Sequence, residues 1–231
     1  MPCALPNVGQ GALVLRNRWQ VSSLRDVFLS SHYWRLFEHL ETPPQLVVDL
    51  GGHCGHFVVL CELLLEERFE KSAPRYVVVE GLGELADGMR ETFAETGLAS
   101  RCTVVHGLVG RRGGSGQLRS GASSLLDSSV VSGAGVKRGP EIPYVDLLAQ
   151  LPADQPIDIL KVDIEGSEHD LVAAYPDLLR RTRLCAMEVH EMGGPADGVL
   201  RALEAAGLEP CLPHIRKGPN LLVLYKAPKL P

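Results

Sequence analysis

Aromatic side chains are scarce in this chain, at 5% of 231 residues. That weighs against a stacking platform for single-stranded nucleic acid, which needs several exposed rings. Positive charge is not in excess either. Lys and Arg number 23 against 28 Asp and Glu, a net charge of -5, so the basic face that grips a nucleic-acid backbone is not expected. Long apolar runs are missing. The longest, Phe57 to Leu65, is interrupted by Glu62, well short of the roughly 20 residues of a membrane span. The opening MPCALPNVGQ has neither a charged n-region nor an apolar stretch, so no signal peptide is expected. Six cysteines stand at 3, 54, 61, 102, 185 and 211 without a CxxC pair. They read as reduced thiols of a cytoplasmic protein. No internal repeat is present.

What is there is enough apolar residue, 45%, for one sizeable domain that buries roughly 70–75% of its unfolded surface without staples. Residues 1–18 read as irregular and 22–40 as one or two helices, ended by Thr42-Pro43-Pro44. From there strands and helices alternate. Strands are expected at Leu46–Leu50, Arg75–Glu80, Cys102–Leu108, Ile157–Asp163 and Leu184–His190. Helices are expected at His56–Glu70, Glu84–Thr96, Glu168–Arg181 (with a break near Pro176) and Pro195–Ala206. Two strand-like runs close the tail. This rhythm means an α/β fold with a mostly parallel central sheet. The organisation is then an N-terminal helical segment, 1–44, and a main domain, 45–231. One stretch departs from the rhythm. Of the 33 residues from Gly107 to Gly139, 16 are Gly or Ser, and the insert at about 110–140 reads as a plain or disordered loop or as a lid or hairpin.

The first strand runs into a glycine turn, Val47-Val48-Asp49-Leu50-Gly51-Gly52-His53-Cys54-Gly55. Ligands of such sheets bind beyond the carboxyl ends of the strands. The dinucleotide pattern GxGxxG fails, because His53 and His56 stand where its second and third glycines belong. The second strand ends in Glu80, a position from which a carboxylate accepts both hydroxyls of a ribose. Acidic residues ending strands one and two suit S-adenosylmethionine (SAM), with its ribose diol and zwitterionic methionine end. The fourth strand reads Ile159-Leu160-Lys161-Val162-Asp163-Ile164-Glu165-Gly166-Ser167-Glu168. Lys161 and Asp163 share a strand face, and Ser167 with Asp170 fits a helix-capping box.

LKVDIEGSE resembles the signature of the FkbM-type methyltransferases, a SAM-dependent family with the class I methyltransferase fold. VVDLGGHCGHF resembles that family's first SAM motif, VVVEG its ribose-binding strand end, IPYVDLL the stretch before the signature, and Glu188-Val189-His190 its Glu-x-His. The match spans roughly 45–226. Two departures are Gly52-His53, where alanine and asparagine are usual, and Gly81, where proline is common. The resemblance implies a Rossmann-like fold with helices on both faces and an antiparallel C-terminal strand. It implies methyl transfer to a hydroxyl of a small molecule, sugar or natural-product scaffold. Cofactor contacts then fall on Asp49, Gly51, Gly52, Gly55, Glu80, Gly107, Leu108 and Asp163.

A hydroxyl acceptor must lose its proton to a group at the sheet's carboxyl edge. His190 is the first candidate base, because a free imidazole titrates near 6.5, and Asp163 and Glu165 follow. A divalent metal held by Asp163, Glu188 and His190, or with Glu165, is the less favoured alternative. His53 and His56 as metal ligands are disfavoured. Two other readings stay open: a non-catalytic SAM-fold binding module, and a nicotinamide-dependent oxidoreductase. The expected partner is a small-molecule acceptor, not nucleic acid or membrane, and a homodimer is compatible with the sequence.

Overall fold

The computed structural model describes residues 2–3, 13–30, 33–121, 124–130 and 140–228. Two short strands, β1 (Pro2–Cys3) and β2 (Leu13–Val14), pair with each other ahead of helix α1 (Arg18–Leu24). Asn17 caps α1 by accepting the Gln20 N–H at 2.9 Å. A π-helical turn, Arg25–Ser30, and a 3-10 helix, Tyr33–His39, complete the N-terminal segment. Then come β3 (Leu46–Leu50), α2 (His56–Arg68), β4 (Arg75–Glu80), α3 (Gly83–Glu95) and β5 (Cys102–His106). The Gly/Ser-rich insert contributes β6 (Ser115–Gly121) and β7 (Ser124–Val130), and β8 is Glu141–Pro143. The second half holds β9 (Ile157–Val162), α4 (Glu168–Ala174), α5 (Pro176–Arg180), β10 (Thr182–Val189) and α6 (Asp197–Ala205). It ends in β11 (Glu209–Pro210), β12 (Ile215–Lys217) and β13 (Asn220–Lys226).

The main sheet runs β11-β13-β10-β9-β3-β4-β5, with β12 also on β13. β3, β4, β5, β9 and β10 are parallel, and β13 is antiparallel to β10. Side chains alternate between two cores. Val48 and Leu50 face α4, α5 and α6, against Leu171, Leu178 and Leu203. Val47, Val78 and Ile159 face the other way, against Phe57, Met89 and Phe93 of α2 and α3 and Leu36 and Phe37 of the N-terminal segment. Burial on both faces explains why these strands read as continuous β-branched runs. Chain order reverses between β3 and β9, so a crevice opens at their carboxyl ends.

Over its described part the insert takes the hairpin reading, because β6 pairs with β7 and with β8 in a three-stranded sheet; residues 122–123 and 131–139 lie outside the described residues. One expectation needs correction. The Ser167 capping box does not form. Ser167 makes no side-chain cap bond, and Asp170 instead accepts from Arg111 at 2.8 Å. The break expected near Pro176 is present, with α4 and α5 divided at Tyr175. Cys54, Cys61, Cys102, Cys185 and Cys211 are free thiols; the Cys3 side chain lies outside the described residues. No helix among the described residues is long and apolar enough to cross a membrane.

Candidate functional site

A cavity of about 370 Å³ lies over the carboxyl ends of β3, β4, β9 and β10, a size that suits a small organic ligand. Its floor is the turn after β3. Gly51 has φ +80, and a Cβ there would meet the Asp163 carbonyl oxygen at 1.8 Å. The requirement for glycine is therefore set by the β9 backbone, not by a ligand. At Gly52 a Cβ would meet Val78 Cγ1 at 2.2 Å, and at Gly55 (φ +76) it would meet Met89 and Phe93 at 2.8 Å. Gly51, Gly52, Gly107 and Leu108 line the cavity; Gly55 and Asp49 do not. The need for glycine at Gly55 is thus set by α3, which packs directly on it.

Asp49 is fully buried and stands opposite Lys161 in the β3–β9 ladder. Lys161 Nζ is 3.1 Å from Asp49 Oδ1, 2.6 Å from the Gly51 carbonyl and 3.8 Å from Asp163 Oδ2. The Asp49 contact is a buried ion pair, with the Lys161 ammonium as the partner of Oδ1. Burial opposes the lysine's charge, but Asp49 and Asp163 outweigh it and raise its pKa. Lys161 thereby joins the first and fourth strands beneath the cavity.

Glu80 is buried at the end of β4 and lines the cavity. Its Oε2 accepts the His53 N–H and its Oε1 the Leu82 N–H, each at 2.8 Å. Each oxygen keeps a lone pair for a ligand hydroxyl. Burial pushes the Glu80 carboxyl up, and the Leu82 and His53 amides pull it back. Leu82, Leu85, Leu108 and Leu118 give the cavity an apolar wall beside it, Leu118 coming from the insert. Ser23, Asp26 and Val27 of the N-terminal segment also line the cavity. That segment is anchored by Ser23 Oγ, 3.0 Å from His56 Nδ1.

At the other end of the cavity, β9 and β10 bring Asp163, Glu165, Glu188 and His190 together. His190 Nδ1 is 2.9 Å from Glu168 Oε1, and Glu168 is fully buried. Nε2 then faces Glu165 Oε2 at 3.3 Å and Asp163 Oδ1 at 3.8 Å. Burial disfavours the charged ring, but the Glu168 hydrogen bond and the charges of Glu168, Glu165 and Asp163 overcome it and hold His190 at about 9. The ring is an imidazolium at neutral pH. A ring held so argues against the role of base expected from a free imidazole's value of about 6.5. Glu188 is engaged by Lys217 and by Asn220 at 3.2 Å. Among the described residues, the set placed to share a metal ion is Asp163, Glu165 and His190, with ligand atoms within 4.8 Å of one another. In that set Glu165 takes the place considered for Glu188, which its lysine already occupies.

Sequence reasoning missed Glu168 as the group that orients His190, and it missed the walls from the N-terminal segment and Leu118. The signal for Glu168 was present: a glutamate beside Ser167 in a signature otherwise spent on strand and turn. Nothing in residues 22–40 pointed to a cavity wall, because their spacing encodes a helix face and not its docking partner.

No protein-family model matches the chain, and no curated protein matches it by sequence. Solved structures do match. The methyltransferase FkbM from Methylobacillus flagellatus KT superposes with a TM-score of 0.52 at 16% identity, over 87% of this chain and 48% of that one. The O-methyltransferase TomG from Streptomyces achromogenes, solved with SAM, gives 0.50 at 13%, over 93% and 92%. A protein of the NADB-Rossmann superfamily from Streptococcus agalactiae gives 0.50 at 11%, over 87% and 70%. This chain thus spans about half the length of the FkbM structure. At these identities the likenesses establish the fold alone: a Rossmann-like class I methyltransferase fold.

Proposed function

We propose that this chain is a SAM-dependent methyltransferase of FkbM type that O-methylates a hydroxyl on a small-molecule, sugar or natural-product acceptor. The observation that carries this is one cavity with a buried carboxylate, Glu80, at one end and a carboxylate–imidazole cluster at the other. The residues present fit SAM. Glu80 has lone pairs facing the cavity for the ribose hydroxyls, and leucines stand beside it for the adenine. The buried ring nitrogens of His53 lack partners within the protein. When bound, SAM supplies an activated methyl group on a sulfonium sulfur.

The chain's own residues then position and deprotonate the acceptor. Much of the rate comes from holding the two reactants in line. His190 keeps its proton at neutral pH, so it donates and does not accept. The acceptor hydroxyl's proton goes to Asp163 or Glu165, whose oxygens lie around His190 Nε2. Glu168 fixes the ring through Nδ1, and the ring in turn orients those two carboxylates.

Incubation with methyl-labelled SAM and a panel of hydroxyl-bearing sugars and natural-product scaffolds, read by mass spectrometry, tests this. One labelled methyl group on an acceptor oxygen is expected. Label on nitrogen or a carboxylate overturns the O-methyl assignment. SAM binding without turnover on any acceptor favours a binding module.

A further inference from the structure

The N-terminal segment places a phenol beside the carboxylate end of the cavity. Tyr33 opens the 3-10 helix Tyr33–His39 and is 2% exposed. Its ring meets Phe57 edge-on, with centroids 5.4 Å apart and planes at 74°, and Phe57 lines the cavity. Tyr33 shares the core on the α2 and α3 side of the sheet with Ile159. Lys161 projects from that same face of β9, and Asp163 continues the alternation at the strand's end. Packing thus holds the ring, but its hydroxyl is shut off from solvent without a hydrogen-bond partner. A buried tyrosine usually finds a partner for that group, because leaving the bond unmade costs folding energy. Folding accounts for the ring and leaves the oxygen unexplained.

The charges around the hydroxyl narrow its partner. Burial pushes its pKa well above the usual phenol value, and the carboxylates of Asp163, Glu188, Asp49 and Glu165 push it further, in that order. The phenol therefore keeps its proton and can donate it in a hydrogen bond. Three of the four carboxylates are already engaged. Glu188 takes Lys217 and Asn220, Asp49 pairs with Lys161 at 3.1 Å, and Glu165 faces His190 Nε2 at 3.3 Å. Asp163 is held more loosely, with Lys161 and His190 both 3.8 Å away, beyond hydrogen-bond reach. Among the described residues, the carboxylate that acts most strongly on the unpaired hydroxyl is thus the one without a close donor.

We propose that in the filled cavity the Tyr33 hydroxyl donates to the Asp163 carboxylate and aims it at the acceptor, so that Asp163 takes the acceptor's proton and Tyr33 is its positioning residue. This rests on the methyl-transfer reading above and deepens it, by choosing between the two carboxylates named there. The O–H bond of the acceptor breaks, its electron pair stays on that oxygen, and the proton goes to an Asp163 oxygen. The phenol keeps its own proton throughout. The N-terminal segment then serves the chemistry as well as lining the cavity.

Tyr33→Phe tests it, because it removes one oxygen and keeps the ring against Phe57. Without ligand the variant should melt at or above the wild-type temperature, since it relieves an unpaired hydroxyl. In the labelled-SAM assay with the hydroxyl acceptors, its kcat should fall about tenfold or more, as expected for a hydrogen bond to a charged group. Its KM for SAM should stay within about twofold. In an Asp163→Ala background the same change should cost less than about twofold, because the pair is already broken. A readout without the acceptor uses tyrosine labelled with ¹³C at Cζ, the Tyr33 resonance being the one that Tyr33→Phe removes. That resonance should move when S-adenosylhomocysteine saturates the unaltered protein, and not when it saturates Asp163→Ala. A lower melting temperature for Tyr33→Phe, an unchanged kcat, an equal loss in the Asp163→Ala background or an unmoved resonance overturns the proposal and leaves methyl transfer in place. A wild-type chain that neither binds S-adenosylhomocysteine nor transfers a methyl group overturns both.

Discussion

Glu168 and His190 form a buried pair in which the carboxylate accepts from Nδ1 at 2.9 Å. Glu168 Oε1 also accepts the Gly166 N–H at 3.1 Å, so one fully buried side chain ties the loop after β9 to the end of β10. The pair decides the protonation of the site. Together with Glu165 and Asp163 it raises His190 from near 6.5 to about 9, and the folded state therefore binds a proton that the unfolded chain releases over that range. The stabilisation is fully present below about pH 6.5 and is lost as pH rises through about 9. A NMR titration should find His190 protonated at neutral pH, and Glu168→Gln should lower its midpoint toward 6.5. Glu168→Ala leaves the ring without its buried partner and should cost roughly 3–5 kcal/mol in denaturant unfolding. A His190 midpoint near 6.5 in the unaltered chain contradicts this pairing.

The acid side has the opposite sign. His53 and His56 are lowered to about 4, so below pH 6.5 the unfolded chain takes up protons that the folded one refuses. Stability should fall steadily as pH drops from about 6.5 to 4. His56→Gln should flatten that slope, because it removes one of the two groups and keeps a polar contact for Ser23. Melting temperatures of both proteins measured from pH 7 to 4 check this; parallel curves would rule out His56 as a contributor.

Gly55 and Gly51 should respond to substitution as packing and backbone positions. Gly55→Val forces a branched side chain into a φ of +76 and against Met89 and Phe93. It should lower the melting temperature outright, with loss of binding only as a consequence. Gly51→Ala, aimed at the Asp163 carbonyl, should be as damaging or worse. A Gly55→Val protein with wild-type melting temperature and reduced cofactor affinity would return the turn to a purely ligand-facing role.

The sheet was readable from sequence because burial on both faces leaves no choice of side-chain pattern. Val47-Val48 and Tyr76-Val77-Val78-Val79 are apolar, and the second run stays so until Glu80, which meets the cavity. Glu80 and His190 could be placed at strand ends from the same pattern. The conformational demand on Gly51 could not, since it comes from Asp163, 112 positions later in the sequence. The charge state of His190 was equally hidden. It depends on Glu168, whose side chain reaches back from the start of α4, and local spacing there suggested only a helix cap. The β6–β7 pairing was masked by Gly and Ser, which carry little strand preference.

Proton transfer through Asp163 or Glu165 needs no metal. Turnover should therefore survive EDTA, and Glu165→Gln and Asp163→Asn should each lower kcat by roughly 10²–10⁴-fold where that carboxylate is the acceptor. Loss of activity on chelation, restored by Mg²⁺ or Mn²⁺ and abolished by Glu165→Gln, would instead assign Asp163, Glu165 and His190 to a metal ion.

The central claim is that this cavity holds an adenosyl cofactor by its ribose at Glu80. Calorimetric titration of S-adenosylhomocysteine into the wild-type chain and into Glu80→Ala tests it most directly. A buried hydrogen bond to a charged group is worth roughly 1.5–3 kcal/mol, so saturable one-to-one binding in the wild type should weaken about tenfold or more in the variant, with its melting curve measured alongside to confirm the fold. Equal affinity in a folded Glu80→Ala protein, or no binding to the wild type, would contradict the account.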